Sequence, residues 1–273
     1  MSQLINNFKN SQLVWDTLAE TYDEKFNHPF INQYMRMLSQ ICLVKYFNNS
    51  SHLLEIGCGT GDEAIFFAKK NKKVTAIDIS PKMIEIAKSK AIKKNVEKNV
   101  DFYALPVEKL KRILNIKYDG IYSSFGTLNL VLNLTDLAKT LKNVMLPSSY
   151  FIVSVMNKYC LFEIFYFLIQ GKLRQAFRRF SKDFVPVRII PKTPSLNCYY
   201  YTPTYFYSHF KKYFSLIEFY ALPFLLQAPY IDTIPAFVRK LLYKLLFLDK
   251  KLSKIFPFNR LGDHFIIVMK KRS

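Results

Sequence analysis

The densest chemistry in this sequence lies in Leu53-Leu54-Glu55-Ile56-Gly57-Cys58-Gly59-Thr60-Gly61, with Asp78 standing 21 positions after Gly57. Glycines in a turn between a strand and a helix let a ligand come close to the backbone. A carboxylate about twenty residues further on, at the tip of the next strand, is placed to accept hydrogen bonds from ribose hydroxyls. A ribose-bearing ligand is therefore expected. Dinucleotide sites carry G-x-G-x-x-G and seat a pyrophosphate on the helix N-terminus. Here the third glycine comes one position early, and Asp62 and Glu63 occupy the start of the helix. Acids there suit the helix dipole and repel a phosphate. Glu55 adds a third carboxylate just before the turn, and the absence of G-K-[ST] excludes a P-loop. The plain alternative is a glycine turn of an α/β protein with no ligand.

An acidic pocket with a ribose acceptor suits a cationic ligand. S-adenosylmethionine, which carries an ammonium and a sulfonium, meets that description.

These residues need elements to hold them. Ser51–Ile56 is a short apolar run ended by glycines and reads as a buried strand, followed by a helix through Glu63–Lys70. Val74–Asp78 is a second strand. Ser80 and Pro81 supply an N-cap and a first helical residue for a helix to about Lys94. Val100–Tyr103, Tyr118–Ser123 and Ser149–Met156 are three further strands. Strands separated by helical patterns imply β-α-β units in a doubly wound sheet. Residues 11–47 look helical, with Trp15, Leu18 and Tyr22 at spacings of three and four. After the fifth strand, Tyr159–Lys182 reads as a helical insertion that turns from apolar to basic. Val187–Ile190 and Asn197–Tyr201 could form a small hairpin. Thr202-Pro203 caps a helix to about Lys212, and Leu216–Leu222 is a strand. Pro223–Leu261 is a second insertion with an amphipathic piece at Val238–Leu248, and His264–Met269 closes the sheet. The expected organisation is an N-terminal helical cap (1–50), a cofactor-binding core (51–156), and the rest of the sheet (157–273) with aromatic, basic insertions at about 157–190 and 223–261.

The sequence resembles the class I S-adenosylmethionine-dependent methyltransferases, near the ubiquinone/menaquinone and malonyl-carrier-protein type. The resemblance is carried by Trp15–Asp23, Leu53–Gly61, Val74–Met83 and Tyr118–Asn129, and covers about residues 11–156. Glu163, Arg178-Arg179 and the ending Gly262-Asp263-His264-Phe265 match one branch more faintly. The resemblance implies a Rossmann-like seven-stranded sheet, mostly parallel with its last strand antiparallel, and S-adenosylmethionine as cofactor. It implies that Gly57, Cys58, Gly59 and Gly61 wrap the methionine portion, that Glu55 orients its amino group, and that Asp78 binds the ribose. Ile79 and Met83 would flank the adenine, Tyr22 would close over the methionine end, and Ser124 would face the site. One departure concerns the adenine amino group: Ala104-Leu105-Pro106 stands where the family usually has an acid, leaving backbone near Leu105, or Glu108, to substitute. Phe125, Asn129 and Tyr200 are candidates for acceptor contact.

Each candidate has a plainer role beside it. Met83 and Ile79 suit a helix core, Tyr22 suits helix packing, and Asn129 could only cap the chain after the fourth strand. His264 is either a base or a structural histidine, and Asp119 is structural. No catalytic dyad or metal-ligand spacing stands out. A sulfonium methyl is already activated, so in-line displacement rests mainly on orientation; a hydroxyl acceptor would gain from a base, a carboxylate would not. The absence of [DN]-P-P-[YF], replaced by Ser123-Ser124-Phe125-Gly126, argues against methylation of amino-adenine in DNA.

Composition narrows the acceptor less sharply. The 273-residue chain is 50% hydrophobic and 16% aromatic, which excludes a disordered basic tail. Its +20 charge is uneven: 20 basic and 14 acidic residues precede position 151, and 20 basic and 6 acidic follow it. Codon bias is the plain explanation. The functional readings are a small apolar or lipid-like acceptor, an RNA acceptor bound by Arg174, Arg178, Arg179, Lys182 and Arg188 among Phe177, Phe180 and Phe184, or an acyl group on an acidic carrier protein. An anionic membrane surface could be met by Lys240, Lys244, Lys250, Lys251 and Lys254 beside Leu241, Leu245 and Leu248. The small acceptor is favoured over nucleic acid. Reduced cysteines at 42, 58, 160 and 198, no signal peptide in Met1–Asn7 and no membrane-length apolar run imply a cytoplasmic protein, peripheral to a membrane at most.

Overall fold

The computed structural model describes residues 2–113, 116–231 and 234–272, so Met1, and Asp232 and Thr233 within the second insertion, lie outside the described residues. Its centre is a seven-stranded sheet. The strands are β1 (His52–Ile56), β2 (Lys73–Asp78), β3 (Val100–Ala104), β4 (Tyr118–Ser123), β5 (Met145–Met156), β8 (Phe214–Leu222) and β9 (His264–Lys271). They run in the order β3-β2-β1-β4-β5-β9-β8. The first five pair in parallel, and β9 is antiparallel to both β5 and β8. This is the expected doubly wound sheet with its last strand reversed. A two-stranded antiparallel hairpin, β6 (Val185–Val187) with β7 (Leu196–Cys198), lies outside it, one to three residues from its expected positions.

The parallel strands read as apolar runs because both faces are covered. On one face α2 (Phe30–Phe47), α3 (Asp62–Ala68) and α4 (Pro81–Lys93) bury Leu38, Phe47, Phe67 and Ala87 against Leu53, Val74, Ala76 and Ile152. On the other, α5 (Leu134–Val144) and α8 (Pro203–Ser208) bury Leu137, Leu141 and Phe206 against Leu54, Ile121, Phe151 and Phe265. Of the two N-terminal helices, only α1 (Ser2–Leu18) stays off the sheet: Leu18, with Trp15 partly buried beside it, packs against Met83 and Ile189. The insertions carry α6 (Leu161–Ile169) with α7 (Leu173–Ala176), and α9 (Ala236–Lys244) with α10 (Leu246–Leu252).

The caps agree with the sequence. Ser80 Oγ accepts the Met83 N–H at 3.1 Å, and Thr202 Oγ1 accepts that of Tyr205 at 3.2 Å, each with proline next in the helix. The order of strands matters most for function. The chain leaves β1 toward β2 and β3 and then crosses back to β4, so a crevice opens beyond the carboxyl ends of β1 and β4.

Candidate functional site

Three loops meet at that crevice. The turn after β1 takes positive φ at Gly57, Gly59 and Gly61 (73°, 52° and 82°). A Cβ on Gly57 would collide with the side chain of Thr127, in the turn after β4. One on Gly61 would come within 2.9–3.0 Å of Ala87 and Phe102, so this glycine sets how closely α3 and α4 approach the sheet. The turn itself is pinned by Gly57 and Cys58 N–H groups donating to Ile77 O at 2.8 and 3.0 Å.

Asp78 ends β2 inside this crevice. Its Oδ2 accepts the Gly59 N–H and its Oδ1 the Ser80 N–H, both at 2.9 Å. Burial raises its pKa, and these backbone donors counter part of the rise. Leu105 follows β3 and donates its N–H to Asp78 O at 2.7 Å, so Leu105 and Ile79, both partly buried, flank the same strand tip. Glu108 is exposed in the turn Val107–Ile113. Met83 is buried beneath α1 and belongs to the small cluster with Leu18, Tyr22 and Ile189.

Glu55 is buried in β1 and accepts one hydrogen bond, from Tyr122 at 3.2 Å. Burial and the neighbouring Glu63 carboxyl push its pKa well above the ordinary range. Tyr22 stacks on Phe26 with centroids 5.1 Å apart, and its ring lies 3.6–3.8 Å from where a Gly59 Cβ would stand. Cys58 is buried, and burial raises its thiol pKa strongly. Ser124 is buried after β4; Phe125 follows with φ of 57° and its N–H held by Ser154 Oγ at 2.6 Å.

Several residues missed by the sequence reading complete the site. Arg36 of α2 reaches Asp62 at 2.9 Å and Glu63 at 3.1 Å, and its guanidinium lies 5.4 Å from the Phe125 ring centre. Burial disfavours its charge, but Glu63 and Asp62 outweigh that and raise its pKa. Lys90 of α4 pairs with Asp23 at 2.9 Å and with Asp62. Thr60 donates to Asp23, and Asn27 to both Asp23 and Asp62. Asp16 of α1 accepts from Ser80 Oγ at 2.5 Å, tying the N-terminal helix to the start of α4. No local spacing announces these partners, because they come from four separate elements.

The acceptor candidates fare unevenly. Asn129 is fully buried, its Nδ2 donating to Met156 O and Tyr199 O and its Oδ1 accepting the Met156 N–H. Its amide is spent on the backbone and presents nothing to an acceptor. Tyr200 lies beneath the Arg179 guanidinium at 4.8 Å and lines a cleft of about 470 Å³ with Tyr199, Tyr205, Lys158, Lys182 and His209. His264 gives Nδ1 to Asp263 at 2.7 Å. Asp263 also meets Arg179 at 2.6 Å; burial opposes its charge, yet Arg179 and His264 hold its carboxyl below the usual range.

Arg178 and Arg179 belong to the phosphate-facing surface of the RNA alternative, but Arg179 is buried and Arg178 is partly buried against Glu163. Arg179 is buried and bonded to Glu163, Asp263 and the Asn157 carbonyl, and Arg178 Nε pairs with Glu163 at 2.9 Å. A buried arginine must be paired; Arg179 ties the first insertion to Asp263 at the start of β9, while Arg178 braces Glu163 within the insertion. Cys160, Glu163 and Asp263 cluster closely, with the Arg179 guanidinium on both carboxylates.

The site fits S-adenosylmethionine by charge. Among the described residues, Asp23, Glu55, Asp62, Glu63 and Asp78 have Arg36 and Lys90 as their neighbouring cations, an acid excess suited to an ammonium and a sulfonium. The comparisons agree. A methyltransferase-domain family profile matches residues 47–186, just over half the chain. An uncharacterized protein of Methanocaldococcus jannaschii is 30% identical over 162 residues, covering 59% of this chain and 58% of that one. The ubiquinone/menaquinone biosynthesis C-methyltransferase UbiE of Rickettsia peacockii is 26% identical over 193 residues, covering 67% and 69%. The chain thus spans between about half and two thirds of these relatives. Among solved structures, the N-methyltransferase NodS of Bradyrhizobium japonicum, complexed with S-adenosyl-L-homocysteine, superposes with a TM-score of 0.59 at 12% identity, covering 97% and 100% of the two chains. The methyltransferase CcbJ of Streptomyces caelestis gives 0.60 at 14% identity, covering 95% and 98%. With the family profile laid over the same glycine turn and strand tips, the chain belongs to the methyltransferase-domain family and is a class I S-adenosylmethionine-dependent methyltransferase.

Proposed function

We propose that the chain transfers the methyl group to a small apolar or lipid-like acceptor received beneath its two insertions. The observation that carries this reading is the apolar make-up of the insertions: Phe224, Leu226, Ala228, Ile231 and Ile234 are buried, with Phe162 and Tyr166 packed on the last three. A pocket built from such segments suits apolar ligands. The UbiE relatives, named for a C-methyltransferase of quinone biosynthesis, support it.

S-adenosylmethionine supplies a methyl group activated by its sulfonium. The chain's own residues bind and orient. Asp78 accepts from the ribose hydroxyls, Glu55 faces the ammonium, and the backbone of Gly57–Gly61 lies against the methionine portion. Ile79, Met83 and Leu105 bound the adenine side. Tyr22 closes the site toward solvent, and Ser124 and Phe125 stand where acceptor and cofactor meet. The Phe125 ring, backed by Arg36, excludes water there. Orientation of this kind is the main source of rate for a displacement whose electrophile is already activated.

The test is incubation of the purified protein with methyl-labelled cofactor and extract of the source cells, followed by organic–aqueous partition. Label should enter the organic phase with the wild type and not with Asp78→Ala. Label confined to ribonuclease-sensitive material, or to an acidic carrier protein, would overturn the reading.

A further inference from the structure

The helices of the two insertions are built inside out in charge. α6 has the sequence LFEIFYFLI, and its one charged residue, Glu163, faces the interior at 1% exposure. A helix apolar all round normally belongs in a core, yet Phe165 and Ile169 of α6 are 57% and 86% exposed. α9 and α10 repeat the arrangement. Asp249, the one acid between positions 234 and 261, is fully buried, accepting from the Phe224 and Leu225 N–H groups and from Tyr34 Oη at 2.6–3.0 Å. Phe237, Leu241 and Phe247 point to solvent at 76%, 59% and 79% exposure, interleaved with exposed Lys240, Lys244, Lys250 and Lys251. None of these four lysines has an ion-pair partner among the described residues. Val238 of α9 packs with Phe162 and Tyr166 of α6 in one cluster, so the two exposed surfaces are neighbours.

We propose that this outer surface of the insertions docks peripherally on an anionic lipid bilayer. Bulky apolar side chains among unpaired lysines, with Glu163 and Asp249 of these helices turned inward, complement a surface that is apolar below and negatively charged above. An aqueous setting gives no reason to expose phenylalanine while burying glutamate and aspartate. An acidic protein would account for the lysines but not for Phe165, Ile169, Phe237 and Phe247; a second copy of this chain would bring like charges together. No helix of the described residues is long and apolar enough to cross a membrane, so the contact is lateral. This inference stands on the surface alone and holds whichever acceptor the enzyme methylates.

Vesicle flotation of the full chain tests it, with phosphatidylcholine vesicles against vesicles containing about one third phosphatidylglycerol. The protein should float with the anionic vesicles at low salt and be released as salt rises. K240Q/K244Q should weaken partitioning by roughly 25-fold, at about fivefold per lysine. F237S/F247S should weaken it at least ~10-fold, given ~0.8 kcal/mol per immersed CH2 group. Both pairs are exposed, and an unchanged thermal shift on adding S-adenosylhomocysteine would show the fold intact. No flotation with anionic vesicles, equal binding to neutral ones, or a dimer in sedimentation that F237S/F247S dissolves would each overturn the proposal.

Discussion

The crevice at β1 and β4 and the outer surface of the insertions are mirror images in charge. At the crevice acids outnumber cations, and Arg36 and Lys90 are drawn in to pair with Asp23, Asp62 and Glu63. On the insertions the acids Glu163 and Asp249 are buried and bonded, and Lys240, Lys244, Lys250 and Lys251 are exposed with no ion-pair partner among the described residues. The difference teaches that the formal charge of +20 is a poor guide to partners. Which sign is buried, and against what, sorts an acidic ligand site from a basic docking surface. Substitutions in one region should therefore leave the other's readout alone.

The largest effect should come where the insertion is bolted to the sheet. Arg179→Met leaves Glu163 and Asp263 as buried acids short of a partner, at a cost of about 3–5 kcal/mol. Calorimetry should show a fall of roughly 10 °C or more at pH 7. Asp263 has a depressed pKa in the fold, so its contribution is present above the unfolded value and lost only as pH falls through the folded one. The loss in the variant should therefore be smaller in strong acid than at neutrality.

Gly57→Ala comes next. It demands a positive φ and a place already filled by Thr127, so a cost of about 2–3 kcal/mol is expected, together with at least ~30-fold weaker cofactor binding by calorimetric titration. A variant that binds normally would break the account of the turn.

A smaller, pH-dependent effect sharpens the electrostatic half of the comparison. Glu55, Glu63 and Asp78 have raised pKa values in the fold. The folded state thus holds protons that the unfolded chain releases, and stability without ligand falls as pH rises from the ordinary carboxylate range through the folded values. A cationic cofactor offsets that loss. Its thermal shift should be greater at pH 8 than at pH 5.5 by about 2–4 °C; a shift that shrinks with pH would contradict the assignment of these acids. The smallest expected effect is the control: F237S/F247S should change cofactor affinity by less than ~2-fold.

How much of this was legible in the sequence depends on sequence distance. Gly57–Gly61, Asp78 and Ser80-Pro81 declared themselves because turn, strand tip and cap are local chemistry. So did the strands, whose burial on both faces leaves unbroken apolar runs. Arg36, Asp23 and Lys90 did not, since their mutual proximity exists only after α2 and α4 dock on the sheet. Arg178 and Arg179 could be read as part of an RNA-facing basic surface because Asp263 lies 84 positions beyond Arg179. The helix after Thr202 was expected to reach about Lys212 but ends at Ser208, where the chain turns so that Phe210 and Phe214 pack on Phe151. α5 escaped the sequence reading although Leu134, Leu137, Ala138 and Leu141 carry its apolar stripe.

The central claim is that the acid-lined crevice binds S-adenosylmethionine through Asp78. Calorimetric titration of the cofactor into wild type and Asp78→Asn tests it most directly, because asparagine keeps the shape while removing the charge and one pair of acceptor sites. Two hydrogen bonds to a charged acceptor, at about 1.5–3 kcal/mol each, predict a Kd at least ~100-fold weaker in a variant whose unliganded Tm stays within a few degrees. Equal affinity in the two proteins would contradict the account.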